Sequence, residues 1–176
     1  METATPQSGE DRSARAEVAS ASKLLRAAVA LLARRDFSRA GLRERLLRRF
    51  GAAADEPELD RVLDRLEIDG LLSEERFAEN FVRARASRFG PARLRHELLR
   101  RGLPAERIDS ALKLHAQDEY SAARAIWARR FASTPFASIP ADARERARQA
   151  RFLSARGFSH EVIRRLLREL EKSPGC

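Results

Sequence analysis

Residues 75–103 have the sequence ERFAENFVRARASRFGPARLRHELLRRGL, which contains the clearest signal of the fold. Its apolar residues recur every three or four positions, as Leu94 and Leu98 do, which is the spacing of one face of a helix. Gly90 and Pro91 interrupt the pattern once. Proline is tolerated in the first turn of a helix, because the N–H that it lacks needs no intrahelical partner there. The stretch therefore predicts two short helices joined by a tight turn, with many arginines around them.

Helical spacing extends over most of the 176 residues. β-branched residues are scarce and no segment alternates polar and apolar residues with period two, so strands are not expected. The fold class predicted is all-α. The pattern predicts helices over residues 22–35, 39–50, 57–69, 74–88, 91–101, 105–116, 118–131, 141–156 and 159–171.

The helical pattern repeats itself along the chain. Leu42 and Leu46 of one segment match Leu94 and Leu98 at a constant offset, and a third copy pairs Leu98 with Leu153. Such self-similarity is typical of proteins built from tandem helical units. The sequence predicts a flexible N-terminal tail over 1–22, three-helix repeats over 23–72, 73–117 and 118–171, and a C-terminal tail over 172–176.

Positive charge is in excess and is unevenly distributed. The chain has 35 Lys and Arg against 26 Asp and Glu, a formal net charge of +9. Residues 23–50 carry nine basic and two acidic side chains, whereas residues 55–79 carry three basic and ten acidic ones. An excess of this size indicates an anionic partner, most often nucleic acid. The acidic segment suits a partner that also presents protein surface, or it pairs with arginines of neighbouring helices; both interpretations stay open.

The sequence offers little for catalysis. His96, His115 and His160 are far apart and lack the spacing of metal ligands, and Cys176 is the one cysteine. No glycine-rich loop for a nucleotide is present. We therefore expect no enzymatic activity, no cofactor and no metal. The apolar segment Ala27–Ala33 is too short to span a bilayer, so a cytoplasmic location without membrane contact is expected.

The arginines of the second repeat are predicted to face outwards. On a helical projection Arg93, His96 and Arg100 lie opposite Leu94 and Leu98, and matching positions of the other repeats are also basic. Solvation alone would be satisfied by mixed charge. The residues predicted to bind phosphate or an acidic protein surface are Arg48, Arg83, Arg85, Arg88, Arg93, Arg95, Arg100, Arg101, Arg148, Arg151 and Arg156.

LDRLEIDGLLSEERFAENFVRARA (63–86), followed by FGPARLRHELLRRGL (89–103), resembles the RecX family of recombination regulators. The family pattern is a glycine, an acidic turn, Arg-Phe-Ala and then basic helices that end at glycine. RARQARFLSARGFSHEVIRRLL (146–167) is similar to the family's last repeat. The residues that carry the family motif, with structural roles, are Gly70, Arg76, Phe77, Ala78, Gly90, Leu94, Leu98, Gly102 and Gly157.

The resemblance implies three tandem three-helix repeats that form an elongated, curved protein. It also implies a non-enzymatic modulator or inhibitor of the RecA recombinase that lies in the groove of the RecA–single-stranded DNA filament. Such a protein reduces the filament's ATP hydrolysis, strand exchange and co-protease activity, and so acts on recombination, DNA repair and the SOS response. We expect a monomer that binds the RecA filament and single-stranded DNA, with at most weak binding to double-stranded DNA.

Two other classes of function remain open. A three-helix unit with a basic helix is also typical of helix-turn-helix transcriptional regulators, which read duplex DNA. The basic helices have few Asn or Gln side chains in positions to read bases, which counts against that class. The third class is a helical scaffold whose arginines only keep it in solution.

Overall fold

In a computed structural model of the chain, the described residues are 7–51, 55–115, 119–131 and 143–172. They form nine helices and contain no strand, which confirms the predicted all-α class. The helices are α1 (Gln7–Leu32), α2 (Arg39–Phe50), α3 (Glu56–Ile68), α4 (Glu74–Arg85), α5 (Pro91–Leu99), α6 (Ala105–His115), α7 (Glu119–Phe131), α8 (Ala143–Ser154) and α9 (His160–Lys172).

Local chemistry sets the ends of several helices. The side chain of Ser38 accepts a hydrogen bond of 3.1 Å from the backbone N–H of Gly41, and Asp55 caps α3 in the same way at the N–H of Glu58. These caps satisfy amides that the first turn of a helix leaves without partners. Gly157, in the turn that follows α8, has a φ of 81°, a left-handed conformation that glycine adopts without a steric penalty.

Each set of three consecutive helices has its own hydrophobic core. The chain divides into two compact units, residues 1–74 and residues 75–176. The first unit contains one core, formed by α1 to α3; the second contains two, one from α4 to α6 and one from α7 to α9. The residues that define the repeat are at most 2% exposed in all three cores: Leu42, Leu46, Leu94, Leu98 and Leu153. The prediction of three-helix repeats is confirmed.

The N-terminal region differs from the prediction. Helix α1 begins at Gln7, whereas the sequence pattern predicts a helix only from residue 22. The flexibility of the segment 1–22 stays a prediction. The physical reason for the longer helix is propagation: each residue added to an existing helix gains a hydrogen bond without the cost of nucleation. The packed part of α1, from Leu24 onwards, supplies that nucleus. Residues 1–6 and 173–176, which include most of the predicted C-terminal tail, lie outside the described residues.

The described part of the chain contains no candidate membrane span and no candidate metal cluster. None of its helices combines the length and the apolar composition that a membrane span requires. Within the same residues, His, Cys, Asp and Glu side chains nowhere form a group of three that could hold a metal ion.

Candidate nucleic-acid interface

Four of the predicted binding arginines are exposed and unpaired. Arg83, Arg88, Arg100 and Arg151 form no ion pair and no side-chain hydrogen bond with any other described residue. All four lie in the unit formed by residues 75–176, on α4, on α8 or in the turns that follow α4 and α5. A guanidinium carries five N–H donors in a planar fork that matches the oxygens of phosphate or carboxylate. These four side chains can therefore bind an anion without first breaking a contact within the described chain.

Other predicted arginines form ion pairs with neighbouring acids. The guanidinium of Arg148 lies 2.7 Å from Glu145, that of Arg93 lies 3.3 Å from Glu97, and Arg95 pairs with Asp109. Arg48 pairs with Glu44 at 3.6 Å on the first repeat. These arginine side chains are between 42% and 63% exposed, so each pair contributes little to stability. An incoming phosphate must compete with a carboxylate at these positions.

The pair between Arg148 and Glu145 also affects titration. The hydrogen bond from Arg148 is the largest cause that lowers the pKa of Glu145 below its ordinary value, and a hydrogen bond from Gln149 lowers it further against the opposing effect of desolvation. Glu145 therefore stays charged at neutral pH. Its negative charge reduces the attraction of this part of α8 for phosphate.

A third group of predicted arginines stacks on phenylalanine rings. The guanidiniums of Arg85 and Arg101 lie 4.0 and 4.6 Å from the centre of the Phe81 ring. Arg93 lies 4.3 Å from the centre of Phe89, and Arg156 lies 3.8 Å from the centre of Phe152. Cation–π contacts of this kind stabilise a protein by about 0.5–1 kcal/mol at exposed sites. These contacts hold the four arginine side chains against phenylalanine rings at the edges of the cores.

This stacking was not predicted, although the sequence contains its signal. Phe81 and Arg85 are four residues apart, and so are Phe89 and Arg93 and the pair formed by Phe152 and Arg156. Side chains four residues apart are neighbours on a helix and in the turns at either end of it. A phenylalanine four positions before an arginine therefore indicates an arginine with a structural contact.

A backbone junction brings the second and third repeats together. The N–H of Gly90 donates a hydrogen bond of 2.8 Å to the carbonyl oxygen of Arg156, and the N–H of Ala92 donates one of 3.1 Å to the carbonyl oxygen of Gly157. A Cβ atom built on Gly157 would lie 2.6 Å from the Cβ of Arg93, so the two segments are in direct contact. Arg93 and Arg156, which are 63 positions apart in the sequence, are thereby placed on one surface.

The motif residues divide between the core and the turns. Ala78, Leu94 and Leu98 are at most 2% exposed, and Phe77 packs on Phe81 with ring centres 6.0 Å apart. Arg76 is exposed and has a contact within the described chain. The motif glycines with left-handed φ values, of 69°, 78° and 81°, are Gly70, Gly102 and Gly157.

The acidic segment pairs mainly with arginines of the same unit. Arg39 of α2 lies 2.7 Å from Asp64 and 2.9 Å from Glu67, and Arg43 lies 3.1 Å from Glu56. Burial lowers the pKa of Arg39, but the hydrogen bond to Asp64 and the charges of nearby acids outweigh this and raise it. Of the two interpretations of this segment, these contacts support the pairing of α3 with α2.

Comparison with protein-family models gives two matches. The model described as "RecX, second three-helix domain" matches residues 73–112, which contain α4, α5 and most of α6. The model described as "RecX, third three-helix domain" matches residues 117–167, which contain α7, α8 and most of α9. The matched segments cover both repeats joined at Gly90 and Gly157.

Similar proteins and structures carry the same family name. A "Regulatory protein RecX" of Leptothrix cholodnii is 46% identical over 80% of this chain and 85% of its own length. One from Pseudomonas fluorescens is 50% identical over 81% of this chain and 88% of its own length. A crystal structure of RecX from Lactobacillus salivarius has a TM-score of 0.74 at 20% identity, and covers 89% of this chain and 99% of that one. A second crystal structure, of a regulatory protein RecX, has a TM-score of 0.77 at 18% identity, over 96% of this chain and 81% of its own.

Proposed function

The chain belongs to the RecX family of regulatory proteins, and from this we propose that it regulates the RecA recombinase. In this proposal it binds the RecA–single-stranded DNA filament in its groove and inhibits ATP hydrolysis, strand exchange and co-protease activity. It would thereby limit recombination, DNA repair and the SOS response. The protein acts as a binding partner and performs no reaction of its own.

One structural observation on this chain supports the proposal in addition to its family membership. Arg83, Arg88, Arg100 and Arg151 are exposed, unpaired among the described residues and confined to the unit of residues 75–176. A nucleoprotein filament presents both phosphates and acidic side chains, and guanidinium groups suit both. These four arginines are the first contacts that we assign to the filament.

The remaining predicted arginines have a secondary role in this proposal. Those with carboxylate partners, such as Arg95 and Arg148, must exchange one anion for another and so gain less on binding. Those that stack on rings, such as Arg85 and Arg156, hold the surface in place and offer the N–H groups that face away from the ring. This ranking distinguishes the contributions of residues that look equivalent in the sequence.

Repetition favours a filament as the partner. A filament displays the same protomer at regular intervals, and a chain with several basic repeats can contact more than one protomer. Once one repeat is bound, the effective concentration of the next at its own site is high, so weak single contacts combine into strong binding. A single globular partner presents one site, so binding of one repeat would not raise the effective concentration of the next at an equivalent site.

The test is a titration of RecA ATP hydrolysis on single-stranded DNA with the full chain, with binding to the same DNA alone followed in parallel. We expect inhibition at concentrations well below those that coat the DNA. Unchanged hydrolysis, or inhibition only when the DNA is coated, would contradict the proposal. A screen of duplex DNA in parallel tests the helix-turn-helix alternative, because a transcriptional regulator would prefer one duplex sequence.

A further inference from the structure

The first repeat contains a basic cleft whose described lining includes none of the predicted binding arginines. It opens between α1 and α2 with a volume of about 310 Å³, and its lining residues are Lys23, Arg26, Ala27, Ala30, Arg49 and Phe50. Small-molecule pockets usually have volumes of about 300–1,000 Å³, so this cleft is at the lower end of that range. The matches to the family's second and third domains do not extend to this repeat.

Three cations converge on this cleft from two helices. Lys23 and Arg26 are three residues apart on α1 and share one face of it, and Arg49 faces them from the end of α2. All three side chains are exposed, and none forms an ion pair with a described residue. No acidic side chain is among the described residues that line the cleft. The local charge is therefore uncompensated, in contrast to the paired arginines Arg39 and Arg43 on the same helix α2.

The floor of the cleft is apolar and partly aromatic. Ala27 is buried, Phe50 is half-buried, and the guanidinium of Arg49 lies 5.6 Å from the centre of the Phe50 ring. An unpaired base can stack on an aromatic ring or on an arginine plane, and this contact is available whatever the base. A base pair inside a duplex has no free face to offer.

The hydrogen-bonding groups that line the cleft favour a nucleic-acid backbone over an acidic peptide. Lysine and arginine side chains donate hydrogen bonds and accept none, and the remaining lining residues have no polar side chain. A phosphodiester backbone has only hydrogen-bond acceptors, and the lysine and arginine donors of the cleft can bind all of them. An acidic peptide also carries backbone N–H donors, for which these side chains supply no acceptor.

We infer that the cleft between α1 and α2 is a binding site for single-stranded nucleic acid, in which Lys23, Arg26 and Arg49 hold phosphates and a base stacks on Arg49 and Phe50. This site adds a DNA contact to the proposed function. It rests on that proposal in one respect, because the single strand that it binds is taken to be the DNA of the filament. The first repeat then contacts DNA, while the unpaired arginines of residues 75–176 remain available to the rest of the filament.

The test compares two double variants of the full chain that lose the same charge. Arg26→Gln with Arg49→Gln removes two cations from the cleft. Arg34→Gln with Arg61→Gln is the matched control, because both residues are exposed in the same unit, lie outside the cleft and form no ion pair with a described residue. The probe is a fluorescent oligo(dT) of about 16 nucleotides, the upper end of the site sizes of single-strand binding folds.

We expect the cleft variant to bind oligo(dT) at least about tenfold more weakly, and the slope of log affinity against log salt to fall by about 1.4, which is about 0.7 for each lost phosphate contact. The control variant should change affinity by less than about threefold, because dispersed charges are screened. Equal effects of the two variants would overturn the inference.

Phe50→Leu tests whether the ligand is a single strand and not another anion. The substitution keeps an apolar side chain but removes the ring on which an unpaired base would stack. We expect about fivefold weaker binding of oligo(dT) and unchanged binding of a duplex of equal length. Unchanged oligo(dT) affinity in the folded variant would overturn the assignment to single strands. Displacement of the oligonucleotide by polyglutamate at equal charge concentration would overturn it in favour of an acidic peptide.

The two proposals fail separately. If the wild-type chain binds oligo(dT) through the cleft but leaves RecA ATP hydrolysis unchanged, the proposed function is wrong and the site stands. If it inhibits hydrolysis while the cleft variant binds oligo(dT) as wild type does, the site is wrong and the proposed function stands.

Discussion

The backbone N–H of Gly90 donates a hydrogen bond of 2.8 Å to the carbonyl oxygen of Arg156, and this joins the start of α5 to the turn between α8 and α9. The segments approach so closely that a Cβ atom on Gly90 would lie 2.3 Å from the carbonyl oxygen of Gly157. Glycine is needed at both positions because neither backbone can move aside without losing the hydrogen bonds. These backbone hydrogen bonds thereby join the second repeat to the third.

The first prediction concerns these glycines. Gly90→Ala should lower the stability of the unit by more than about 2 kcal/mol, because its Cβ collides with backbone and separates the junction. Gly90 has a φ of −77°, so an alanine there adds no backbone strain and the whole effect is steric. Unfolding in urea, followed by the fluorescence of Trp127, the one tryptophan, measures this.

Gly70→Ala is the control for the first prediction. Gly70 has a φ of 69°, and a Cβ atom at this position would meet no described atom within 4 Å. Only left-handed strain of about 1–2 kcal/mol is therefore expected. Circular dichroism follows the unfolding of this variant. A Gly90→Ala protein as stable as wild type would contradict the close packing of the junction.

The second prediction separates unpaired from paired arginines. Arg88→Gln with Arg100→Gln should raise the concentration for half-maximal inhibition of RecA ATP hydrolysis by at least about tenfold, because two charge-assisted contacts are lost. Arg95→Gln with Arg148→Gln removes the same charge from the same unit, but these arginines already have carboxylate partners. We expect an increase of less than about threefold for this second variant, because each arginine gains less on binding. The opposite order would contradict the ranking that we propose.

The third prediction concerns a buried hydrogen bond in the third repeat. The indole N–H of Trp127 donates to the side-chain oxygen of Gln149 at 2.8 Å, and both residues are buried. Gln149→Met keeps the shape but removes the acceptor, so we expect a loss of about 1–3 kcal/mol. Arg151→Gln, at an exposed position of the same helix α8 with no described side-chain partner, is the control and should change stability by less than about 0.5 kcal/mol. Equal stability of the two variants in urea would show that the indole N–H finds another acceptor.

The fourth prediction is a pH dependence at Tyr120, the one tyrosine. Its hydroxyl donates a hydrogen bond to Glu169, whose carboxylate also accepts one from Arg165. Burial is the largest cause that raises the pKa of Tyr120 above its ordinary value of 10.0, and the hydrogen bond and charge of Glu169 raise it further. The neutral phenol therefore contributes stability below pH 10.0, which is lost as the pH rises through the folded-state pKa.

Absorbance of the phenolate measures this titration directly, because one tyrosine gives one transition. We expect a midpoint above 10.0 in the wild-type chain and a lower midpoint in Glu169→Gln, which removes the neighbouring charge. Tyr120→Phe should abolish the corresponding loss of stability at alkaline pH. A midpoint that Glu169→Gln leaves unchanged would contradict the contact.

The pKa of Glu169 itself is lowered, first by the hydrogen bond from Tyr120 and then by that from Arg165. Its contribution to stability is therefore present above its ordinary value of 4.5 and is lost as the pH falls through the folded-state pKa. The third repeat should thus be most stable between these two transitions.

The helices and their repetition could be predicted from the sequence. Periodic apolar residues such as Leu46, Leu98 and Leu153 have to be buried on one face, and proline and glycine mark where a helix begins or ends. Both signals act over a few residues, so they can be read without knowledge of the rest of the chain. The largest difference among the helices is the extent of α1, because residues 7–22 lack an apolar pattern and are helical as a continuation of the packed part.

Which arginines are available to a partner could be learned only from the packing of the helices. Arg88 and Arg95 look equivalent in the sequence, but Arg95 meets Asp109 on another helix and Arg88 meets no described carboxylate. The close approach of Gly90 to Gly157 and the cleft between α1 and α2 arise in the same way, from segments distant in the chain. Local spacing fixes which face of a helix is apolar, whereas the partners of its polar face depend on how helices pack, and that is a property of the whole fold.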